Sequence, residues 1–390
     1  MTQTAKTADP IGDIVSSLSD AKAVRETLPS GARIHIDRPL PFICVHQEIE
    51  GARQAAYDIA SSNASYLVSP DLSADCYITP SDFVLRADDT LHACVLNLPN
   101  KSFHKVETFH KALQSDDTTR ETIDITEIDV VMLRNDPSQD AGKHPWAAQA
   151  GPMFGRLAVD RGVLVVNDPD GLALAQNKLY LQGFPEAARP ASLIFKNLEE
   201  IRDFIDTQPK GVIIKPLQGS GGKNVFKIEG PGDSNINQIF EAVSEAGYMI
   251  AQGYLPKAKD GDVRVFVMNG TPLEQDGKYA ALRRVPAKGD VRSNMHAKGT
   301  AVKVEMTDEI LAVAELVRPK LIHDGLFMVG LDVVGDKILE INVFTPGGLW
   351  SICDMYGTDF AETVIKSLEK KLKMREGSQG TLSNRELAVL

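Results

Sequence analysis

Residues 330–348 read GLDVVGDKILEINVFTPGG, and three oxygen-bearing side chains, Asp332, Glu340 and Asn342, lie there among Val, Ile and Leu. Two apolar runs joined by Gly-Asp predict a pair of β-strands. Because side chains alternate across a strand, Glu340 and Asn342 point to the same face. Carboxylate and amide side chains are unusual in a strand pair that is otherwise so apolar.

The length of the turn decides whether Asp332 lies on that face as well. A two-residue loop at Gly335-Asp336 would pair Asp332 with Leu339. A loop of odd length, centred on Asp336, would instead set Asp332 opposite Glu340. We predict the loop of odd length.

Two facing carboxylates repel each other unless a cation lies between them. Carboxylate and amide oxygens are hard ligands, suited to a Mg²⁺ ion that bridges substrate phosphates. The alternative is a solvated strand face with ordinary acids, which would be the better interpretation for any one residue alone. The apolar flanks make an open, wet face less plausible, so we predict a metal site at Asp332, Glu340 and Asn342.

A glycine loop lies within VIIKPLQGSGGKNVFKI, residues 212–228, between two predicted strands. Glycines let backbone N–H groups wrap around phosphate oxygens, and Lys215 and Lys223 would add positive charge. The loop lacks the GxxxxGK[ST] pattern of a P-loop. A flexible hairpin turn explains the loop equally well when it is considered alone.

The segment YMIAQGYLPKAKDGDVRVFV, residues 248–267, places an apolar strand before Asp262 and Arg264. A nucleotide base could lie against such a connecting strand while Asp262 accepts a hydrogen bond from a ribose hydroxyl. A simple Asp-Gly turn between two strands is the commoner explanation of this pattern.

Composition limits the class of protein. The chain has 390 residues and a formal net charge of -11, so a broad basic face for nucleic acid or anionic lipid is not expected. Its four cysteines lie far apart without metal-ligand spacing, which predicts isolated thiols. The first residues are polar and no segment is long enough to cross a bilayer, so we expect a cytoplasmic protein without membrane partners.

Apolar strands alternate with amphipathic helices along the chain, which predicts an α/β protein. From residue 191 the units shorten, which predicts a small α+β subdomain. Residues 307–325 are predicted to form a long amphipathic helix. An earlier helix is predicted to contain Pro152, which should kink this helix or mark its first turn. We expect a frayed tail from about Arg375.

Several segments in order resemble one known family. They are IDVVMLRNDP, VLVVNDPDGLALAQNKLY, VIIKPLQGSGGKNVF, IAQGYLPKAKDGDVRV, LRRVPAKGDVRSN and FMVGLDVVGDKILEINVFTP. The pattern is similar to the prokaryotic type of glutathione synthetase in the ATP-grasp superfamily, from residue 128 to the closing helix. Before residue 128 no family pattern is apparent.

The resemblance implies an ATP-grasp fold, two α+β subdomains that grip ATP, preceded by an N-terminal α/β pre-ATP-grasp domain. The expected divisions are a polar leader (1–35), the N-terminal domain (36–167), the ATP-grasp domain (168–377, with a lid subdomain at 191–256 and a C-terminal subdomain at 257–377) and a tail (378–390).

The resemblance also implies roles for nucleotide-binding residues. Lys178 and Lys215 would contact the ATP phosphates. The backbone of Tyr254 and Leu255 would contact adenine, and Asp262 would hold the ribose. The mobile lid over the phosphates would consist of Gly219, Ser220, Gly221 and Gly222.

The groups around the reacting carboxylate and the acyl phosphate are implied in the same way, and residues 285–300 resemble the family's active-site loop. These groups would be Arg264, Arg284, Arg292 and Asn294. A solvated helix position for Lys178 and surface salt bridges for the arginines are the ordinary alternatives for each residue alone. His296 in the loop could assist proton removal from the amine.

The chain departs from the family's pattern in three places. Where the family has hydroxyl side chains for the incoming glycine, this chain has Phe344, Thr345, Gly347 and Gly348. The connection between Arg264 and Arg284 is longer, and no Pro-Phe-Asp follows LRNDP. The residues after Asn342 predict an acceptor site with an apolar wall. The missing Pro-Phe-Asp concerns the identity of the carboxylate donor.

The function implied is an ATP- and Mg²⁺-dependent carboxylate–amine ligase, with Mn²⁺ as an alternative metal. It would join γ-glutamylcysteine to glycine, or a related pair, through an acyl phosphate without a side-chain nucleophile. The alternative is a nucleotide-binding ATP-grasp protein that lacks ligase activity and acts through a partner protein. Small-molecule substrates and a homo-oligomer are expected for the ligase.

Overall fold

The computed structural model describes residues 42–44, 67–68, 74–77, 83–99, 119–133, 137, 147–219, 224–244, 247–286, 300–344 and 346–390. The chain divides into two compact units. Unit 1 comprises residues 1–172, 324–327 and 344–390, and unit 2 comprises residues 173–323 and 328–343. No helix in the described ranges is long and apolar enough to span a membrane.

The described residues of unit 1 form two sheets. Its strands are β1 (Phe42–Cys44), β2 (Leu67–Val68), β3 (Ala74–Tyr77), β4 (Phe83–Leu85), β5 (Leu91–Pro99), β6 (Thr119–Asp124), β7 (Val130–Met132) and β8 (Leu164–Val166). Strands β1, β7 and β8 pair in parallel in that order, and the other five form an antiparallel sheet. Strands β7 and β8 are buried throughout, as their uniformly apolar sequences predict for a parallel sheet.

The helices of this part of the chain are α1 (Ala147–Asp160), α2 (Pro169–Leu174), α6 (Leu349–Tyr356), α7 (Phe360–Ser378) and α8 (Asn384–Val389), with a 3₁₀ helix at Ile125–Glu127. Pro152 lies inside α1. Residues 169–183 do not form one continuous helix, because α2 ends at Leu174 and a separate 3₁₀ helix follows at Lys178–Gly183. The side chain of Asn177 accepts from the N–H of Leu179 and starts that second helix.

The frayed tail predicted from about Arg375 is also wrong. Ser383 and Glu386 form a capping box at the start of α8, where Leu387 is buried. The Asn384 amide accepts from the N–H of Val165 at 2.8 Å and donates to its carbonyl at 3.0 Å. The Asn384 side chain thus forms hydrogen bonds with both the N–H and the C=O of Val165, as the backbone of a neighbouring strand would.

Unit 2 contains a four-stranded antiparallel sheet, the lid sheet, in the order β11-β10-β12-β9. Its elements are β9 (Ser192–Phe195), α3 (Leu198–Asp206), β10 (Val212–Pro216), β11 (Phe226–Ile228), α4 (Ile236–Ser244) and β12 (Met249–Gly253). Val212, Ile214, Met249 and Ala251 lie in one apolar core with Ile201 and Val243 of the helices. Since side chains alternate, Lys215 and Gln252 point to the opposite face.

The second sheet of unit 2, the central sheet, has the order β18-β17-β13-β19-β20, with β14 paired to β13. The strands are β13 (Asp262–Met268), β14 (Thr271–Pro272), β17 (Ala281–Val285), β18 (Thr300–Val302), β19 (Met328–Val334) and β20 (Lys337–Asn342). The longer connection noted in the sequence forms a hairpin of β15 (Glu274–Gln275) and β16 (Lys278–Tyr279). The remaining elements are α5 (Asp308–His323) and 3₁₀ helices at Lys178–Gly183, Glu186–Ala188 and Pro256–Asp260.

Candidate active site

The turn between β19 and β20 has two residues, because Val334 pairs with Lys337 across it. Gly335 occupies the first turn position with φ of 59°, a backbone conformation that glycine adopts without strain. The predicted loop of odd length is therefore wrong.

A β-bulge nevertheless brings the two acids together. Val333 pairs with Ile338, the register then shifts, and Asp332 pairs with Glu340, so that Leu339 is the extra residue. The pairing of Asp332 with Glu340 was predicted and is found, through a bulge rather than through the turn. The bulge has the same effect on register as one more residue in the loop.

Asp332 is buried between two arginines. Its carboxylate accepts from Nε and Nη2 of Arg264 at 2.5 and 3.1 Å, and Nη2 of Arg284 lies 2.8 Å away. The Nδ2 group of Asn342 also donates to Asp332, at 3.2 Å. Burial alone would raise the pKa of Asp332, but the two guanidinium charges outweigh burial and lower this pKa to about 2.

Asp262 lies directly opposite Arg284 in the pairing of β13 with β17. Its Oδ1 accepts from Nε of Arg284 at 3.2 Å, and its Oδ2 makes a very close contact with Nη2 of the same residue. Asp262 is only 3% exposed. The predicted ribose contact stays a prediction, because the carboxylate oxygens here face a guanidinium.

Two lysines lie beside the hairpin. Nζ of Lys215 is 3.5 Å from the carbonyl oxygen of Leu339, the bulged residue. Burial lowers the pKa of Lys215 to about 8, against the opposing charge of Glu340. Nζ of Lys178 donates to the carbonyl of Gly219 at 2.6 Å and lies 4.0 Å from Oε1 of Glu340. Two cations thus approach the glycine loop and the acidic pair.

Comparisons with known proteins identify the family. The family model described as "Prokaryotic glutathione synthetase, ATP-grasp domain" matches residues 177–357, and that of the family's N-terminal domain matches residues 74–173. The glutathione synthetase of Pseudomonas syringae pv. tomato is 34% identical over 255 residues, which are 65% of this chain and 76% of that protein. The chain belongs to the prokaryotic glutathione synthetase family.

Another member, the glutathione synthetase of Vibrio cholerae serotype O1, is 34% identical over 257 residues, or 65% of this chain and 77% of that protein. A solved structure, D-alanyl-alanine synthetase A from Vibrio cholerae O1, has a TM-score of 0.52 at 13% identity and covers 85% of this chain and 97% of its own. The predicted ATP-grasp fold is confirmed. The family match begins at residue 74. The sequence interpretation found no family pattern before residue 128.

Membership in this family makes the protein an ATP-dependent ligase that forms an amide bond from small-molecule substrates. The family uses ATP and a divalent metal. The alternative of a nucleotide-binding protein without ligase activity is not favoured.

The residues at the hairpin fit a divalent metal. In the described ranges no three His, Cys, Asp or Glu side chains lie close enough together to hold an ion, so the donors would be two carboxylates and an amide. Because Asn342 donates through Nδ2 to Asp332, its Oδ1 remains an oxygen donor. Mg²⁺ in phosphate-transfer sites needs few protein ligands, since it keeps waters and binds substrate phosphates.

The sequence interpretation missed Gln252, on the face of the lid sheet that carries Lys215. Gln252 is 3% exposed, and within the described part of the chain its Nε2 has no hydrogen-bond partner. Nζ of Lys227 lies 4.1 Å from the centre of the Tyr254 ring, two residues further along the chain from Gln252. A polar residue in the apolar run MIAQG was the available signal.

Other predicted site residues belong to unit 1 or lie outside the described residues. Phe344 is buried and Gly348, with φ of 106°, precedes α6, both in unit 1. A Cβ at Gly347 would meet open space. The following lie outside the described residues: Ser220, Gly221, Gly222, Arg292, Asn294, His296 and Thr345.

Cys353 is buried, and burial raises the pKa of its thiol to about 11. A thiol with so high a pKa is a poor nucleophile at neutral pH. The prediction of an isolated thiol is thereby confirmed for Cys353.

Proposed function

We propose that the protein is a Mg²⁺-dependent glutathione synthetase that joins γ-glutamylcysteine to glycine. The observation that carries the proposal is the facing pair of Asp332 and Glu340 in one unit with Lys178, Lys215 and Arg284. Acids on one hairpin, with cations from neighbouring elements around them, suit the transfer of a phosphoryl group, which depends on positioning and charge neutralisation.

Lys178 and Lys215 would bind the phosphates of ATP. The ammonium of Lys178 lies at the carbonyl of Gly219, so it is placed at the start of the glycine loop. Lys215 is buried on the lid sheet, and burial disfavours its ammonium form. A bound phosphate would add a negative charge beside this ammonium and favour that form. Tyr254, Leu255 and the unpartnered amide of Gln252 would bind the adenine.

Arg264 and Arg284 would hold the substrate carboxylate. An oxygen of this carboxylate attacks the γ-phosphorus, the bond to the bridging oxygen breaks, and ADP leaves. The amine of the second substrate then attacks the acyl carbon, loses a proton and displaces phosphate. The described side chains act by binding and orienting these groups, and no covalent enzyme intermediate is needed.

Asp332, Glu340 and Asn342 would hold the Mg²⁺, which would neutralise charge on the phosphates when bound. Arg264 and Arg284 keep Asp332 ionised at neutral pH, since they lower its pKa to about 2. Mn²⁺, which prefers similar oxygen ligands, is the alternative metal.

The acceptor amine would bind beside the segment that follows Asn342. Phe344, which is buried, would supply an apolar wall. Gly347, where an added Cβ would meet open space, would leave room where the family pattern has hydroxyl side chains, and Gly348 adds no side chain. We therefore expect a weaker preference for glycine over larger amino acids than is usual for the family.

The test is turnover on a panel of substrates. Purified protein is given ATP, Mg²⁺, γ-glutamylcysteine and either glycine or a larger amino acid, and phosphate release and product mass are recorded. We expect glutathione with glycine and a measurable amount of product with alanine or serine. Nucleotide binding without phosphate release on the whole panel would refute the proposal and favour the partner-dependent alternative.

A further inference from the structure

Lys178 is the first residue of a short 3₁₀ helix, Lys178–Gly183, in unit 2. In a 3₁₀ helix the side chains at i and i+3 lie above one another, so this helix has three rows of side chains. Lys178 and Leu181 share one row, and Tyr180 and Gly183 share another. A rotation of the helix about its axis would therefore change the direction in which the Lys178 side chain points.

Lys320 of α5 lies against the row of Tyr180 and Gly183. Its ammonium nitrogen is 4.7 Å from the centre of the Tyr180 ring and 5.7 Å from the centre of the Phe184 ring. The two rings meet edge to face, with their centres 5.2 Å apart. Because an ammonium is attracted to the negative face of an aromatic ring, Lys320 holds both rings in place.

Gly183 leaves the space that the Lys320 side chain occupies. A Cβ at Gly183 would lie 2.7 Å from Cε and 3.3 Å from Nζ of Lys320. Any side chain at position 183 would therefore push the ammonium away from its place over Tyr180. The end of one lysine thus fills the whole row of Tyr180 and Gly183.

Both sides of this contact are anchored by burial. Val317 and Leu321, the buried residues of α5 on either side of Lys320 in the chain, are fully inaccessible to solvent. Tyr180 and Phe184 are only 8% and 3% exposed. Since a helix of six residues has few backbone hydrogen bonds of its own, contacts with its side chains decide its orientation.

We infer that Lys320 is a positioning residue for Lys178, because it holds the 3₁₀ helix in the rotation that directs the Lys178 ammonium to the glycine loop. In this orientation Nζ of Lys178 donates to the carbonyl of Gly219 at 2.6 Å, and its backbone N–H donates to the carbonyl of Leu217 at 3.1 Å. Without the Lys320 ammonium, the helix would be free to rotate and to carry Lys178 away from the loop. The inference rests on the proposed role of Lys178 in binding the phosphates of ATP.

The first test compares K320M with wild type, because methionine keeps an unbranched apolar side chain and removes the charge. We expect the dissociation constant for AMPPNP with Mg²⁺, measured by calorimetry, and KM for ATP to rise at least about fivefold. KM for γ-glutamylcysteine should stay within about twofold of wild type. A loss of stability alone would lower kcat with the folded fraction and would leave the affinity of the folded protein for AMPPNP unchanged. Wild-type AMPPNP affinity in folded K320M, or an equal rise in KM for γ-glutamylcysteine, would overturn the inference.

G183A covers the case in which K320M does not fold, because it keeps the charge of Lys320 and displaces the ammonium. We expect it to weaken AMPPNP binding at least about threefold. The double variant G183A/K320M should bind AMPPNP no more weakly than K320M, since both changes remove the same contact. Additive losses of affinity, or wild-type affinity in G183A, would contradict the inference.

The matched control is K196M. It removes another lysine of unit 2 whose ammonium lies over an aromatic ring, that of Tyr248 at 5.8 Å. K196M should bind AMPPNP with wild-type affinity. A loss of affinity as large as that of K320M would show that the effect is not specific to the 3₁₀ helix, and would refute the positioning role.

K178A separates the inference from the proposed function. If Lys320 acts through Lys178, the double variant K178A/K320M should bind AMPPNP no more weakly than K178A. A further loss of affinity in the double variant would refute the positioning role. Unchanged AMPPNP affinity in K178A would instead refute the proposed role of Lys178 in ATP binding, whatever K320M does.

Discussion

Asp332 is the residue on which the charges of the candidate site converge. Its pKa is lowered from 3.8 to about 2 by Arg264 and Arg284, so the folded state favours its ionised form. A lowered carboxyl pKa stabilises the fold above the unfolded pKa, and this contribution disappears as the pH falls towards 2. The shift corresponds to about 2 kcal/mol of folding free energy.

We predict that D332N lowers the free energy of unfolding at pH 7 by about 3–5 kcal/mol, because it leaves two buried guanidinium groups without their shared anion. Urea unfolding between pH 2 and pH 7 checks this result. The difference between wild type and D332N should shrink as the pH falls from 4 to 2. A difference independent of pH would show that Asp332 does not carry this acid sensitivity.

Glu340 is more exposed than Asp332, since 36% of its side chain is accessible. We predict that Glu340→Ala lowers kcat roughly 10²–10³-fold through loss of charge stabilisation, while the melting temperature hardly changes. The matched control is Glu309→Ala, which removes another exposed carboxylate of unit 2 that pairs with a lysine, Lys257, at 3.0 Å. Normal turnover of Glu340→Ala at limiting Mg²⁺ would exclude Glu340 as a metal ligand.

At the scale of elements, Lys178 contacts the start of the glycine loop, where its ammonium donates to the carbonyl of Gly219. We predict that AMPPNP with Mg²⁺ slows proteolysis within residues 219–223, because bound phosphates give the loop N–H groups a partner. The protection should be weaker in K178A. Equal cleavage rates with and without nucleotide would show that the loop does not act as a lid.

The helix α8 lies in unit 1 and holds the edge of β8 through Asn384. We predict that Asn384→Ala destabilises the protein by about 1–3 kcal/mol, because two backbone groups of Val165 lose their partner. The control Thr381→Ala removes a local hydrogen bond at an exposed position. Equal unfolding midpoints for both variants would show that α8 contributes little to the fold.

The sequence predicts α5 well because one periodicity dominates there, and the residues that repeat with it are buried on one face of the helix: Ile310, Val313, Ala314, Val317 and Leu321. It does not predict the bulge at Leu339, since one extra residue in the strand or in the loop gives the same pairing of Asp332 with Glu340. The folded tail was missed because its stability comes from a side chain that bonds a strand 219 residues away.

The same limit applies to the candidate site. The acids and Lys215 were predicted because their residue types are unusual within apolar runs or beside a glycine loop. Lys178 was predicted only from the family resemblance. The contact between Arg264 and Asp332 joins positions 68 residues apart, and it depends on the register of β13 with β19. Sequence patterns contain little information on such pairing, so the ion pairs of Asp262 and Asp332 could only be seen in the fold.

For the whole molecule, family membership makes the chain an ATP-dependent amide-forming ligase, and the proposed chemistry is activation of a carboxylate as an acyl phosphate. In that chemistry, one oxygen of the substrate carboxylate leaves with the phosphate. Activation as an adenylate would instead transfer this oxygen to AMP. The fate of the oxygen therefore reports on the chemical step itself.

The most direct test uses γ-glutamylcysteine with ¹⁸O in the cysteine carboxylate, incubated with ATP, Mg²⁺, glycine and the protein. Mass spectrometry of the released phosphate then follows the label. We predict that the label appears in inorganic phosphate, that ADP is the nucleotide product, and that Glu340→Ala forms both at least about 100-fold more slowly. Product formation with unlabelled phosphate, or with label in AMP, would contradict the proposed reaction.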